Sequence, residues 1–127
     1  MENYQVTIRE TSMQLSAKER IKYKDTSNAV KLDALIDDNE KITISPVGWI
    51  ILDVHNEKGE NPDYQQYVVV GENGEKFVTG SKSFWSAFIN IWNEMESDSE
   101  SEDFEIEVYK LDSKNYKGKK FMTCSII

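Results

Sequence analysis

One cysteine, one histidine and two prolines in 127 residues leave little material for several kinds of chemistry. A lone Cys124 excludes an internal disulfide framework and any multi-cysteine zinc site. A lone His55 excludes every mechanism that needs two imidazoles. No apolar run approaches the roughly 20 residues that a membrane-spanning helix needs. The N-terminus has no basic-then-apolar leader pattern, so the expectation is a cytoplasmic chain with no membrane partner. Basic residues are also missing from 94–107, a stretch that holds eight acids.

What is present argues for a folded protein. The chain is 39% hydrophobic and 11% aromatic, with several Val/Ile runs, which offsets the pull toward disorder of 30% charged residues and a net charge of −8. Its length fits the usual range of about 100–200 residues for one domain, so a single domain over 1–127 is expected. The charge is unevenly spread. Taking the eight acids of 94–107 from the 23 in the chain leaves 15, equal to the 15 bases. Within that neutral remainder, Lys110, Lys114, Lys117, Lys119 and Lys120 face only Asp112. A second, smaller basic cluster comprises Lys18, Arg20, Lys22 and Lys24. Local potential decides what a groove attracts, so a low whole-chain pI does not exclude a nucleic acid.

The pattern along the chain is mainly β with one helix. Residues 1–40 form an N-terminal extension in which Tyr4, Val6 and Ile8 alternate like a strand, 15–24 read either as a short helix capped by Ser16 or as an arm, and 37–40 make a turn. A β-rich segment over 41–54 contains Pro46 and Gly48, the mark of a bend or bulge. Residues 55–63 are a loop by composition, and 64–70 a strand. Asn73-Gly74 signals a hairpin, with 76–79 returning. Ser81 and Ser83 are candidate caps for a helix whose apolar stripe is Phe84, Phe88, Ile91, Trp92 and Met95, with Trp85 beside it. An acidic loop over 96–103 follows. Phe104, Ile106 and Val108 then alternate with acids and Tyr109, and 121–127 place Met122, Cys124 and Ile126 opposite Phe121, Thr123 and Ser125. Over 41–127 this is five strands with a helix between the third and fourth, the element order of an OB-fold Greek-key barrel, an order that other small β barrels and α+β rolls can share.

Residues 72–84, Glu-Asn-Gly-Glu-Lys-Phe-Val-Thr-Gly-Ser-Lys-Ser-Phe, resemble the hairpin-then-helix entry of small single-stranded DNA-binding proteins from phages and mobile elements of Gram-positive bacteria. Residues 104–108 and 113–121 resemble their closing hairpin, a Ser-Lys-type turn followed by an aromatic. The resemblance covers about 64–127. It implies an OB-fold that coats single-stranded DNA during phage replication or recombination in the host cytoplasm. Replication or recombination proteins are then possible partners of the acidic loop. The chain differs from housekeeping members of that group in ending Cys124-Ser125-Ile126-Ile127, with its acidic run internal.

Sequence-independent binding of a single strand needs cations for phosphates and flat rings for bases. An OB-fold places that groove on strands 2 and 3, between the loops joining strands 1–2 and 4–5. The candidate binding residues are therefore Lys58 and Tyr64 around the first loop, Tyr67 and Phe77 on the two strands, and Lys110, Lys114, Tyr116, Lys117, Lys119, Lys120 and Phe121 around the second. Tyr67 and Phe77 have a competing reading as core, because a one-residue slip in register turns each to the other face. Phe121 either caps the barrel or stacks on a base.

No enzyme is read here. Residues 79–83, Thr-Gly-Ser-Lys-Ser, lack the Gly-x4-Gly-Lys-Ser/Thr spacing of a phosphate loop and read as a strand end and helix cap. Asp37, Asp38, Asp53 and His55 have no second His or Cys to complete a transition-metal site, and Cys124 on an apolar strand face behaves as a small hydrophobe. No cofactor or metal is expected. The alternative function is an acidic, phage-encoded interaction protein whose 94–107 block imitates DNA and inhibits a host protein.

Overall fold

Bend, hairpin and helix signals resolve into eight strands and three helices among the residues that the computed structural model describes, namely 4–98, 103–113 and 118–127. In chain order these are β1 (Tyr4–Thr11), α1 (Ala17–Lys24), β2 (Val30–Lys31), α2 (Leu32–Asp38), β3 (Ile42–Ile44), β4 (Pro46–Asn56), β5 (Asp63–Gly71), β6 (Lys76–Thr79), α3 (Lys82–Ser97), β7 (Ile106–Asp112) and β8 (Lys120–Ile126). The strands hydrogen-bond as two sheets, β1-β4-β5-β6-β2 and β3-β7-β8, which do not close into one barrel. None of the described helices is long and apolar enough to cross a membrane.

The chain divides into two compact units, one from 1–31 and 47–80, the other from 32–46 and 81–127. The expected continuous strand over 41–54 is two strands, broken at Ser45 beside Pro46, so that β3 and β4 join different sheets. The proline explains the break, because it has no N–H to continue a ladder.

In the first unit, Ile50, Leu52 and Val54 of β4, Val68 and Val70 of β5 and Val78 of β6 form one buried cluster. Val6, Ile8, Met13, Tyr23 and Ala29 pack against it. Most of the 1–40 segment is thus integral to this unit. β1 pairs antiparallel with β4, and Tyr23 and Ala29 lie on the segment that carries α1. The capping box is complete, since Ser16 Oγ accepts from Glu19 N–H while Glu19 Oε1 accepts from Ser16 N–H. At the other end of α1, Lys76 Nζ donates to the carbonyls of Lys22 and Asp25 at 2.9 and 2.8 Å. A Cβ at Gly48 would collide with the side chain of Met13, which is why that β4 position has none.

In the second unit, Ser81 caps α3 by accepting from Phe84 N–H at 3.2 Å. Phe84, Trp85 and Phe88 are buried, and an aromatic row runs Phe84–Phe88–Trp92–Phe104 with centroids about 6 Å apart. Trp85 is more deeply buried than Trp92, the reverse of the reading from the stripe. Residue 85 sits three before Phe88 and shares its face of the helix, with ring centroids 5.4 Å apart. α3 packs on β8 and α2 on β7. The seven-residue α2 escapes a reading from pattern because only Leu32 and Ile36 on it are buried, too few to show a period.

Candidate nucleic-acid interface

The sheet of the second unit has two unlike faces. Ile106, Val108, Met122 and Cys124 are buried. Burial pushes the Cys124 thiol up to about 12, so it stays protonated and unreactive. The alternate positions form the other face. There the antiparallel register sets Leu111 against Phe121, Tyr109 against Thr123 and Glu107 against Ser125. Leu111 and Phe121 are exposed, at 46% and 38%, and Tyr109 is half-buried. The Tyr109 hydroxyl meets Ser125 Oγ at 2.5 Å, two residues beyond the position directly opposite. The phenol ring therefore leans along β8 over the sheet. Leu111 and Phe121 thus make an exposed apolar pair on an outward face, which Tyr109 shares with its ring directed toward Ser125.

The hairpin that ends this face is basic. Ser113 N–H donates to the Lys119 carbonyl at 2.9 Å, and Gly118 adopts a φ of +83°, a conformation that favours glycine, to turn the chain. Lys119 and Lys120 are exposed beside Phe121. Lys114, Tyr116 and Lys117 lie outside the described residues. Lys110 is not a free cation. Its ammonium pairs with Asp37 of α2 at 2.7 Å and ties β7 to that helix. The phosphate-binding role expected of Lys110 is corrected accordingly.

In the first unit the expected groove is not open. Tyr67 and Phe77 are buried, at 5% and 8% exposure, on the same face as Val69 and Thr79. Val68, Val70 and Val78 are buried on the opposite face. The β5–β6 ribbon is covered on both sides at these positions, so Tyr67 and Phe77 are packing residues and offer no ring to a base. The Tyr67 hydroxyl instead donates to Gln65 Oε1 at 3.4 Å.

The loop after β4 also departs from a cationic rim. Lys58 is exposed, but Glu57, Glu60 and Asp63 surround it in sequence. His55 is held by Asp63 Oδ1 at 2.6 Å and Glu57 Oε1 at 3.4 Å. The Asp63 hydrogen bond, then the Glu57 one, raise the His55 pKa above its ordinary value. Asn56 N–H donates to the Pro62 carbonyl at 2.6 Å and closes the loop. Tyr64 is exposed at its exit. Asp53, a candidate metal ligand with His55 by sequence, is engaged by Arg9 at 3.2 Å.

Of the sequence candidates, Lys119, Lys120 and Phe121 come together on one exposed hairpin, whereas Lys58 and Tyr64 belong to the other unit. Tyr109 and Leu111 share that outward face and were not among the sequence candidates. The period-2 alternation of β7 carried the signal, since both stand opposite the buried Ile106 and Val108. The chain matches no protein-family model, and neither a curated protein nor a solved structure matches it.

Proposed function

We propose that the chain binds single-stranded DNA without sequence selectivity, on the outward face and connecting turn of the β7–β8 hairpin, in phage DNA replication or recombination. The observation that carries this reading is the exposed Leu111–Phe121 pair, with Tyr109 beside it, on the hairpin that bears the most basic stretch of the sequence. Rings on such a face offer bases a π-face, a contact worth about 1–3 kcal/mol per base, while flanking ammonium groups neutralise phosphates. The strand–strand–strand–helix–strand–strand order from β4 to β8 supports an OB-like architecture for that binding.

Titration of a fluorescent oligo-dT at several salt concentrations, with duplex DNA as competitor, tests the reading. If Lys114, Lys117, Lys119 and Lys120 each neutralise one phosphate, log affinity falls with log salt at a slope of about −3. Absence of binding at low salt by a folded sample refutes the proposal.

A further inference from the structure

Far from that hairpin turn, at the other end of β8, the second unit holds a shallow apolar groove of about 290 Å³, lined by Asn90, Ile91, Glu94, Met95 and Ile126. Three features of this place point the same way. Its floor is aliphatic, and Ile126 and Ile127 beside it are 48% and 66% exposed. Its border is a strand edge. β8 is the outer strand of its sheet among the described residues, and the Ser83 hydroxyl of α3 donates to the Met122 carbonyl near its start at 2.7 Å. Its charge is negative. The end of α3 carries Glu94 and Glu96, both exposed, and no base in its last turn. Acids at a helix C-terminus oppose the macrodipole, so this end keeps a negative potential that nothing in its own turn offsets.

We infer that this surface docks an extended segment of a partner protein that carries one bulky apolar side chain between lysines or arginines. The segment's main chain adds to the β8 edge around residues 123–127, its apolar side chain fills the groove over Ile91, Met95 and Ile126, and its cations lie against the end of α3. A second copy of this chain is a poor occupant. Antiparallel pairing of β8 with its own copy around these residues would bring two acidic α3 ends to one seam. The inference does not depend on the nucleic-acid reading.

The test uses a fluorescein-labelled peptide with a Val-Phe-Val centre and two lysines at each end, and a counterpart with glutamates in place of the lysines. Anisotropy reads affinity, and amide chemical shifts locate the site. The basic peptide is expected to shift Ile91, Met95 and residues 123–127 and to outbind the acidic one. Ile126→Lys, at an exposed position, and the combined Glu94→Gln and Glu96→Gln variant are each expected to weaken it about ten-fold, the cost of losing one anchor. Their melting curves and oligo-dT binding should stay unchanged. The inference is overturned if those amides do not move, if the acidic peptide binds equally well, or if both variants keep full affinity. A concentration-dependent dimer that Ile126→Lys dissolves would also overturn it, giving the surface to a second copy.

Discussion

The antiparallel ribbons β5–β6 and β7–β8 are built alike and end up covered differently. β5 reads Tyr67-Val68-Val69-Val70, apolar at every position, and both of its faces are buried there. β7 reads Ile106-Glu107-Val108-Tyr109, apolar on one face and mixed on the other, and only the first face is fully buried. A continuous apolar run marks a strand covered on both sides, and alternation marks one with a face to spare. The first kind of ribbon can hold a protein together, while the second can also hold something else. An aromatic residue on a strand is therefore weak evidence for a ligand until the partner positions across the pleat are known.

The two ribbons can be separated by truncating one phenylalanine in each. Phe77→Ala removes a buried ring and should cost about 3 kcal/mol of stability. In whatever fraction remains folded, oligo-dT affinity should be unchanged, as a chemical melt paired with a titration will show. Phe121→Ala should do the opposite. Its stability change should stay within about 0.5 kcal/mol, as for most surface substitutions, while affinity falls by about 1–3 kcal/mol. If Phe121→Ala melts the protein and leaves binding intact, the contrast between the ribbons fails.

A smaller effect sharpens the electrostatic half of the contrast. Lys119→Gln with Lys120→Gln should flatten the salt slope of DNA binding by about 1.4, or about 0.7 for each phosphate no longer neutralised. Lys110→Gln should leave that slope alone and lower stability, because Asp37 loses its partner. The smallest effect belongs to the β4–β5 loop of the first unit. Because the folded pKa of His55 is raised, its protonated form favours the fold. The advantage is complete below the ordinary value of 6.5 and disappears as pH rises through the folded value. Thermal midpoints of the native chain and His55→Asn should therefore differ most in mild acid and converge at alkaline pH, with DNA affinity indifferent to the change.

Local signals were legible in the sequence and distant pairings were not. A cap at Ser81, the start of the α3 stripe at Phe84 and Phe88, and the inward set Ile106, Val108, Met122 and Cys124 are all decided within a few residues and lie where the pattern puts them, whereas Trp85 and Trp92 are exchanged in burial. Which side of β5 and β6 is covered depends on register and on neighbours elsewhere in the chain, so the core and ligand readings of Tyr67 and Phe77 both stayed open until their burial was seen. The Lys110–Asp37 pair joins residues 73 apart in sequence, a separation at which charge counting cannot tell a free cation from a committed one. Tyr109 was visible as an aromatic near lysines, but its place on the outward face needed the pairing with Thr123.

The split of one β-rich segment at Ser45 also sets an order of assembly. β4, just after the break, has its partners β1 and β5 within the first 71 residues, so the first unit has all of its chain once Gly80 has been made. β3, just before the break, waits for β7, with Ile44 and Ile106 opposite each other in the register. A growing chain thus leaves β3 unpaired while α3 emerges, and its aromatic row meets the strand it packs on only when β8, the last element, arrives. Pairings that span so much chain are slow to close, because the loop entropy is given up before the strands meet. The second unit is accordingly the last to receive all of its strands, and until β8 arrives the apolar face of α3 lacks the strand it packs on.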